Sequence, residues 1–351
     1  DKLGRKMSKS LGNSPEPMEL IDKFGADGVR TGMLFLSPAG NDILFDEALC
    51  EQGRNFNNKI WNAFRLIKSW EITDVPQPET ASIAIAWFDE KFNSELELIN
   101  DHFSKYRISE ALMVTYKLMW DDFCSWYLEM IKPAYQQPID KKTFETTINY
   151  FEKLLKVLHH FIPFITEEIW HLIREREDKD CIIISSWPEV KNYDKELIKS
   201  FDEVIEIITA IRNIRKEKNI SFKESIDLIV KKSPESFGFT RFETVIKKLC
   251  NIKEISSSET EVSNALSFIV RSTQFYIPAG EMINMEEERS KLIKELEYTK
   301  GFLKSVDAKL SNDRFVNNAK PEIINNERKK KSDAQARIKT IEDQLESIGS
   351  L

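Results

Sequence analysis

Three observations predict a mainly α chain with a smaller α+β part. Seven of the eleven glycines (positions 4, 12, 25, 28, 32, 40 and 53) fall in the first 53 residues, and none occurs from Arg54 to Phe237. A run of 184 residues without glycine has little use for left-handed turns and suits long helices. Apolar residues recur at three- and four-residue spacing through much of that run. In the last 66 residues the apolar positions fall into heptads. The expected architecture is a loop-rich opening (1–45), an antiparallel helical bundle (46–180), a small α/β module (181–280) and a C-terminal antiparallel coiled-coil hairpin (281–351).

The opening segment places Lys6-Met7-Ser8-Lys9-Ser10 between Gly4 and Gly12. Glycines leave such a loop free to move, and its paired ammonium groups can meet a polyphosphate, with hydroxyls and loop amides as weaker donors. From Asp46 to Trp70, Leu49, Phe56, Ile60, Phe64 and Ile67 lie near helical spacing, and Asp46 is placed to cap the helix. Pro76 and Pro78 end that pattern. Amphipathic stretches follow at Ile83 to His102, Ile108 to Ile131 and Lys141 to Phe161, with Pro163 stopping or kinking the last of these before Ile165 to Arg174. Trp61, Trp120, Phe123, Trp126, Tyr127 and Trp170 sit at helical spacing, which suits core packing, with base stacking the alternative for any single ring.

After Cys181 the texture changes. Ile182 to Ile184, Ile226 to Val230, Ile252 to Ile255 and Phe268 to Val270 are short β-branched runs, with helices at Lys195 to Lys218 and Pro234 to Cys250 between them. In the last part Leu292, Leu296, Thr299, Leu303, Val306 and Leu310 alternate by four and three. Ile324, Glu327, Lys331, Ala334, Ile338, Ile341, Leu345 and Ile348 resume the spacing after a short break that Pro321 closes. The heads of Glu327 and Lys331 are expected to reach water near the thin tip.

Composition narrows the function classes. Net charge is −7, so contact with a polyanion must come from local basic patches. Cys50, Cys124, Cys181 and Cys250 form no Cys-x-x-Cys pair, so neither a zinc ribbon nor a disulfide framework is indicated and no metal site is expected. No apolar run is long enough to cross a membrane, and a cytoplasmic location is expected. From 300 to 331 nine basic residues stand against four acidic, a projecting basic arm on an acidic protein.

Lys6 to Ser10 continues into Pro17-Met18-Glu19-Leu20 and Gly25-Ala26-Asp27-Gly28-Val29-Arg30. This stretch resembles the KMSKS signature of class I aminoacyl-tRNA synthetases with the helix and turn that follow it. The resemblance extends along the chain and narrows to the valyl enzymes. Gly40 to Asp46 resembles their stem-contact segment, and Arg54 to Ala63 the opening helix of their anticodon-binding bundle. Trp120 to Pro133 and Leu158 to Trp170 match patterns shared with isoleucyl and leucyl enzymes, whereas the hairpin with Leu310-Ser311-Asn312 and Phe315 at its turn is similar to the valyl arm. Alternatives are an isoleucyl or leucyl relative, or a non-catalytic tRNA-binding or coiled-coil interaction protein.

The resemblance implies ATP-dependent activation of valine and its transfer to tRNA(Val) by the intact enzyme, with Mg2+ accompanying the ATP. Lys6, Met7, Ser8, Lys9 and Ser10 would form the ATP-binding loop. Lys6 and Lys9 would be catalytic, Lys9 touching the pyrophosphate, and Ser8 and Ser10 would order the loop. Asp27 and Arg30 are expected to fix the turn beneath it. The histidines are His102, His159, His160 and His171, none in a His-x-Gly-His motif. The chain, which starts at Asp1, is therefore expected to be the C-terminal part of a larger, monomeric enzyme and to be inactive alone. For tRNA the candidates are Arg54, Lys59 and Arg65 on the first bundle helix, unless these are ordinary solvated charges. Arg212, Arg215 and Lys216 share a helix face, for phosphate contact or as a solvated helix end. Lys309, Arg314, Lys320, Arg328 and Lys329 on the arm would meet the tRNA elbow.

Overall fold

The computed structural model describes residues 1–35, 44–232, 239–278, 285–311 and 321–349. The chain divides into two compact units, Asp1–Asp202 and Glu203–Leu351.

The first unit is helical. Two short helices, α1 (Pro17–Phe24) and α2 (Ala26–Phe35), are joined by Gly25 at φ 76°. The Gly-Ala-Asp-x-x-Arg stretch is thus the start of a helix rather than a turn. Helix α3 (Glu47–Lys68) begins where the Asp46 carboxylate accepts from Ala48 N–H, as the sequence predicts. Its contact with α2 is set by glycines. A Cβ on Gly53 would lie 2.3 Å from the Gly28 carbonyl oxygen, and one on Gly32 would lie 2.6 Å from Cys50 N. Only hydrogen at these positions lets the two backbones approach so closely.

A two-residue parallel ladder, β1 (Ile72–Thr73) with β2 (Ile139–Asp140), ties two connectors together, and Asp140 then caps the following helix through Thr143 N–H at 2.8 Å. The other bundle helices are α4 (Glu79–Ser104), α5 (Ile108–Lys117), α6 (Leu128–Ile131), α7 (Lys141–Leu158) and α8 (Pro163–Ile173). Between α5 and α6 the chain is π-helical, Leu118–Tyr127, where an unbroken α-helix is predicted. The wider turn lets one stretch feed two clusters. Trp120 stacks on Tyr116 and Phe56 of α3, whereas Phe123 and Tyr127 pack on Phe88 of α4, with Phe151 and Tyr150 of α7 beyond them. Ile182–Ile184, read from the sequence as a β-branched run, closes a 3-10 turn instead. The Ile182 amide is taken by Glu167 of α8 and the Ile182 side chain is buried, while Ile183 and Ile184 are exposed, so the run has one anchor in the core and no strand partner. The chain then runs along α4, where Trp187 donates to Asn100 and the amides of Lys191 and Asp194 donate to Asn93 and Glu90.

The boundary between units falls within α9 (Lys195–Glu217). In the second unit four strands pair in the order β4-β3-β6-β5: β3 (Ile226–Lys231), β4 (Ile252–Ser258), β5 (Ala265–Val270) and β6 (Thr273–Pro278). Strands β3 and β4 are parallel, with α10 (Glu243–Cys250) in the crossover, and the remaining pairs are antiparallel. Strand β6 is not predicted. Its hairpin turns at Arg271 with φ 53°, where a sequence scan looks for Asn or Gly. Ion pairs from Arg271 to Glu203 (3.6 Å) and Glu206 (2.9 Å) hold that residue.

The arm is the helix pair α11 (Met285–Leu310) and α12 (Pro321–Gly349). Leu292, Thr299, Val306, Glu327, Ala334 and Ile341 are buried, and Leu296, Leu303, Leu310, Ile324, Lys331, Ile338 and Leu345 half-buried, which is the predicted seam. Cross-helix ion pairs Arg337–Glu295, Lys300–Glu342 and Lys331–Asp307 at 2.7–2.8 Å fix the antiparallel register. Glu327 departs from expectation. Its carboxylate is enclosed rather than reaching water, with the Lys330 ammonium at 2.7 Å and Lys309 at 3.9 Å, and the hydrogen bond from Lys330 holds it below the usual carboxylate range. The hairpin turn, 312–320, lies outside the described residues, as does most of the expected stem-contact segment.

Candidate functional site

The lysine–serine loop is built from its own side chains. Lys9–Leu11 makes one 3-10 turn, capped by Ser8, whose hydroxyl accepts from Leu11 N–H and lies 3.1 Å from the Ser10 hydroxyl. Gly12 closes it at φ 63°, in the left-handed region. Asn13, which sequence reasoning passed over, reaches back across the loop. Its Oδ1 accepts from Ser8 N–H (3.0 Å) and its Nδ2 donates to the Lys6 carbonyl (3.3 Å). An Asn just after a glycine turn was the available signal. Lys6, Lys9 and Ser10 are exposed, while Met7 and Ser8 are half-buried. The Lys9 ammonium meets Glu16 at 3.1 Å.

Asp27 and Arg30 sit one turn apart on α2 and grip the joint between α7 and α8. The Asp27 carboxylate accepts from Ile165 N–H (2.7 Å) and Phe164 N–H (3.4 Å), at the positive end of α8. Arg30 donates to the carbonyls of Phe161 (3.0 Å) and His160 (3.3 Å), just beyond α7. Desolvation raises the Asp27 pKa, and the two amides partly oppose that rise. Pro163 at the first position of α8 supplies no amide of its own, which leaves the next two for Asp27. Beside this joint is a cavity of about 420 Å³ lined by Arg30, Lys156, His159, His160, Ser186 and Trp187. Burial lowers the pKa of both histidines, favouring neutral rings.

The expected tRNA candidates are dispersed. Arg54 braces α3 against α1, donating to the Lys23 carbonyl (3.4 Å) and Glu51 (3.3 Å). Lys59 lies over the Trp120 ring at 5.4 Å, and Arg65 is exposed in the last turn of α3. Arg215 is not on the surface. It is 4% exposed and donates to the carbonyls of Ser221 (2.8 Å), Cys250 (2.9 Å) and Asn251 (3.2 Å), so it holds the end of α10 and cannot meet a phosphate. Arg212 is exposed but donates to the Leu249 carbonyl at the same helix end, and Lys216 is exposed beside it. On the arm Lys309, Arg328 and Lys329 are exposed, and Arg314 and Lys320 lie outside the described residues.

Three family profiles match in succession: "tRNA synthetases class I (I, L, M and V)" over residues 1–46, "Anticodon-binding domain of tRNA ligase" over 86–231, and "Valyl tRNA synthetase tRNA binding arm" over 284–349. The valine–tRNA ligase of Christiangramia forsetii is 53% identical over 349 residues, 99% of this chain and 40% of that protein. That of Parabacteroides distasonis is 51% identical over 350 residues, again 99% and 40%. The chain belongs to the valine–tRNA ligase family. Membership extends to distant relatives, since the Fusobacterium nucleatum valine–tRNA ligase is 33% identical over 366 aligned positions. The chain spans about 40% of the length of these family members. Among solved structures, an Agrobacterium radiobacter LeuRS in a ternary complex aligns with TM-score 0.40 and 18% identity, over 56% of this chain and 23% of that one. Among the described residues no helix is long and apolar enough to cross a membrane.

Proposed function

We propose that this chain serves valine–tRNA ligation, supplying the loop that stabilises the pyrophosphate of ATP and the helical surfaces that hold tRNA(Val). The observation that carries this reading is the Lys6–Ser10 loop, with both lysines exposed, preceding the α1–α2 pair that Asp27 and Arg30 fasten to the helical bundle. Valine activation builds negative charge on the β- and γ-phosphates as the α-phosphorus is attacked. A cation aimed at that charge lowers the barrier because it interacts more strongly in the transition state than in the ground state. Lys9 takes this role with Lys6 beside it, while Ser8 and Asn13 hold the loop closed. The Lys9–Glu16 pair is exposed on both sides, so releasing Lys9 to phosphate costs about 0–1 kcal/mol. The ammonium and hydroxyl groups of Lys6, Ser8, Lys9 and Ser10 suit phosphate oxygens and not a cation, so Mg2+ would arrive on the ATP.

Within the proposed assignment the functional parts are 1–45 for the loop and stem contact, 46–180 for the anticodon, 181–280 for the small module and 281–351 for the tRNA elbow. Of the expected candidates among the described residues, Arg65, Lys216, Lys309, Arg328 and Lys329 are exposed for phosphate contact. The working enzyme is proposed to be a cytoplasmic monomer. The test is aminoacylation by the full-length enzyme containing this chain, against a panel of amino acids and tRNAs. Valine on tRNA(Val) is expected, and preferential charging with isoleucine or leucine would overturn the assignment.

A further inference from the structure

Helix α8 carries Glu167 and His171 four residues apart, and the segment that follows returns Cys181 to the same face. One oxygen of Glu167, one ring nitrogen of His171 and the Cys181 sulfur all lie within 4.8 Å of one another. We propose that these three side chains bind a divalent transition-metal ion of the zinc class, with a fourth position open to water.

The donor set selects the ion. A thiolate, an imidazole and a carboxylate suit zinc and its borderline neighbours and do not suit Mg2+ or Ca2+, which take oxygen ligands. Around a tetrahedral ion with bonds of about 2.0–2.3 Å, neighbouring ligand atoms stand roughly 3.3–3.7 Å apart. His171 Nε2 and Glu167 Oε1 are already 3.2 Å apart. Bringing Cys181 Sγ into the set needs a shift on the order of 1 Å, within reach of a χ1 adjustment at a loop residue. Their side chains are about a third exposed (32% for His171, 30% for Glu167), which leaves a path for the ion and its water.

The supporting groups are in place. Ile182 N–H donates to both Glu167 oxygens (3.2 and 3.4 Å), turning that carboxylate toward Cys181. The returning loop is braced along its length. Trp170 Nε1–H donates to the Asp180 carbonyl at 2.9 Å, Arg176 lies 3.7 Å over the Trp170 ring and donates to the Trp170 carbonyl, and Glu152 accepts from both Arg174 and Arg176. A ligand on a braced loop costs little ordering entropy on binding. On coordination the Sγ–metal bond forms and the thiol proton goes to solvent, so uptake strengthens as pH rises. Cys50, Cys124 and Cys250 are buried, so Cys181 is the accessible thiol and its chemistry is readable in the native chain.

The experiment is a titration of the 351-residue chain with Co2+, a spectroscopic stand-in for zinc, followed by Zn2+ displacement. One equivalent is expected to bind with a thiolate-to-cobalt charge-transfer band, which Zn2+ abolishes. Cys181→Ser is expected to lose the band, and His171→Ala and Glu167→Gln to weaken binding at least about tenfold. In a second measurement, saturating Zn2+ is expected to slow alkylation of Cys181 at least tenfold in the unmodified chain. Absence of the thiolate band, unchanged affinity in Cys181→Ser, or alkylation indifferent to Zn2+ would each overturn the site.

Discussion

Replacing Gly53 with alanine tests whether the α2–α3 contact is a backbone crossing that tolerates only hydrogen. Alanine favours helix over glycine by about 1 kcal/mol, so in an open helix the change would stabilise. Here the new methyl would lie 2.3 Å from the Gly28 carbonyl oxygen and 3.0 Å from both the Gly28 carbonyl carbon and Thr31 Cβ. An ordinary contact begins near 3.4 Å, so α2 must retreat by roughly 1 Å, and the nearest atoms are backbone that cannot swing aside. Overpacking costs about 1–3 kcal/mol. Because the obstruction is rigid, the upper end applies, and after the propensity gain the net loss is about 2 kcal/mol. Gly301 in α11 is the control. It too is helical, but nothing lies within 4 Å of its would-be Cβ, so Gly301→Ala is expected to gain about 0.5–1 kcal/mol. All seven tryptophans lie between residues 61 and 187, so their fluorescence in a urea titration follows the first unit, while far-UV circular dichroism sums over all helices and reports the arm through any part of its transition that fluorescence does not share. A Gly53→Ala protein as stable as the parent, or more so, would refute the crossing.

In the full-length enzyme, Lys9→Ala is expected to slow valine-dependent ATP–pyrophosphate exchange by about 10²–10³-fold. The 351 residues alone are expected to show no exchange, and any valine-dependent signal from them would count against the division of labour proposed above. Deleting 286–351 is expected to weaken tRNA binding and flatten its salt dependence while tryptophan fluorescence stays native, since fewer phosphates are then neutralised. Leu303→Asp puts a charge into the α11–α12 seam and is expected to reduce helicity by circular dichroism, whereas charge reversal at Arg328 and Lys329 leaves helicity intact and weakens only tRNA binding. Asp122, in the π-helical stretch, has its pKa pushed up to about 7 by desolvation, with Glu95, Asp121 and Asp202 adding to the rise and Lys91 opposing it. A carboxyl raised on folding holds more protons in the folded state, so the first unit is expected to lose stability as pH rises from about 4 to 7. Asp122→Asn is expected to remove that slope and gain on the order of 2–4 kcal/mol at pH 8, read by urea titration at several pH values.

Legibility in the sequence followed periodicity. Helix α3 with its Asp46 cap and the arm's seam were each readable because one local pattern decided them, whereas Pro163, read as stopping or kinking the preceding helix, opens α8. Where a tertiary partner decided, the pattern misled. Arg215 reads as one more surface cation on α9, and only the end of α10 folding beside it turns the guanidinium inward. Ile182–Ile184 has strand-forming residues, but the Ile182 N–H donates to a glutamate side chain instead of a ladder. Strand β6 stayed hidden because an arginine fills the left-handed turn position. Lys6 and Lys9 were evident as part of a motif, whereas Asn13, which ties the loop across itself, belongs to no motif. Gly28, Gly32 and Gly53 were visible as glycines but not as a crossing, since composition carries no distance.

The grip of Asp27 and Arg30 on the α7–α8 joint differs from an ion pair in one respect. Two oppositely charged side chains that bind each other can exchange places, and a double reversal often restores the contact. These two bind amides and carbonyls, whose polarity is written into the direction of the chain. An arginine at position 27 would face the N–H groups of α8, and an aspartate at 30 would face the carbonyls of Phe161 and His160, so a swap doubles the damage instead of cancelling it. The pair therefore has no compensating partner through which sequence could drift. Each position is constrained separately, by a backbone that substitution cannot recharge.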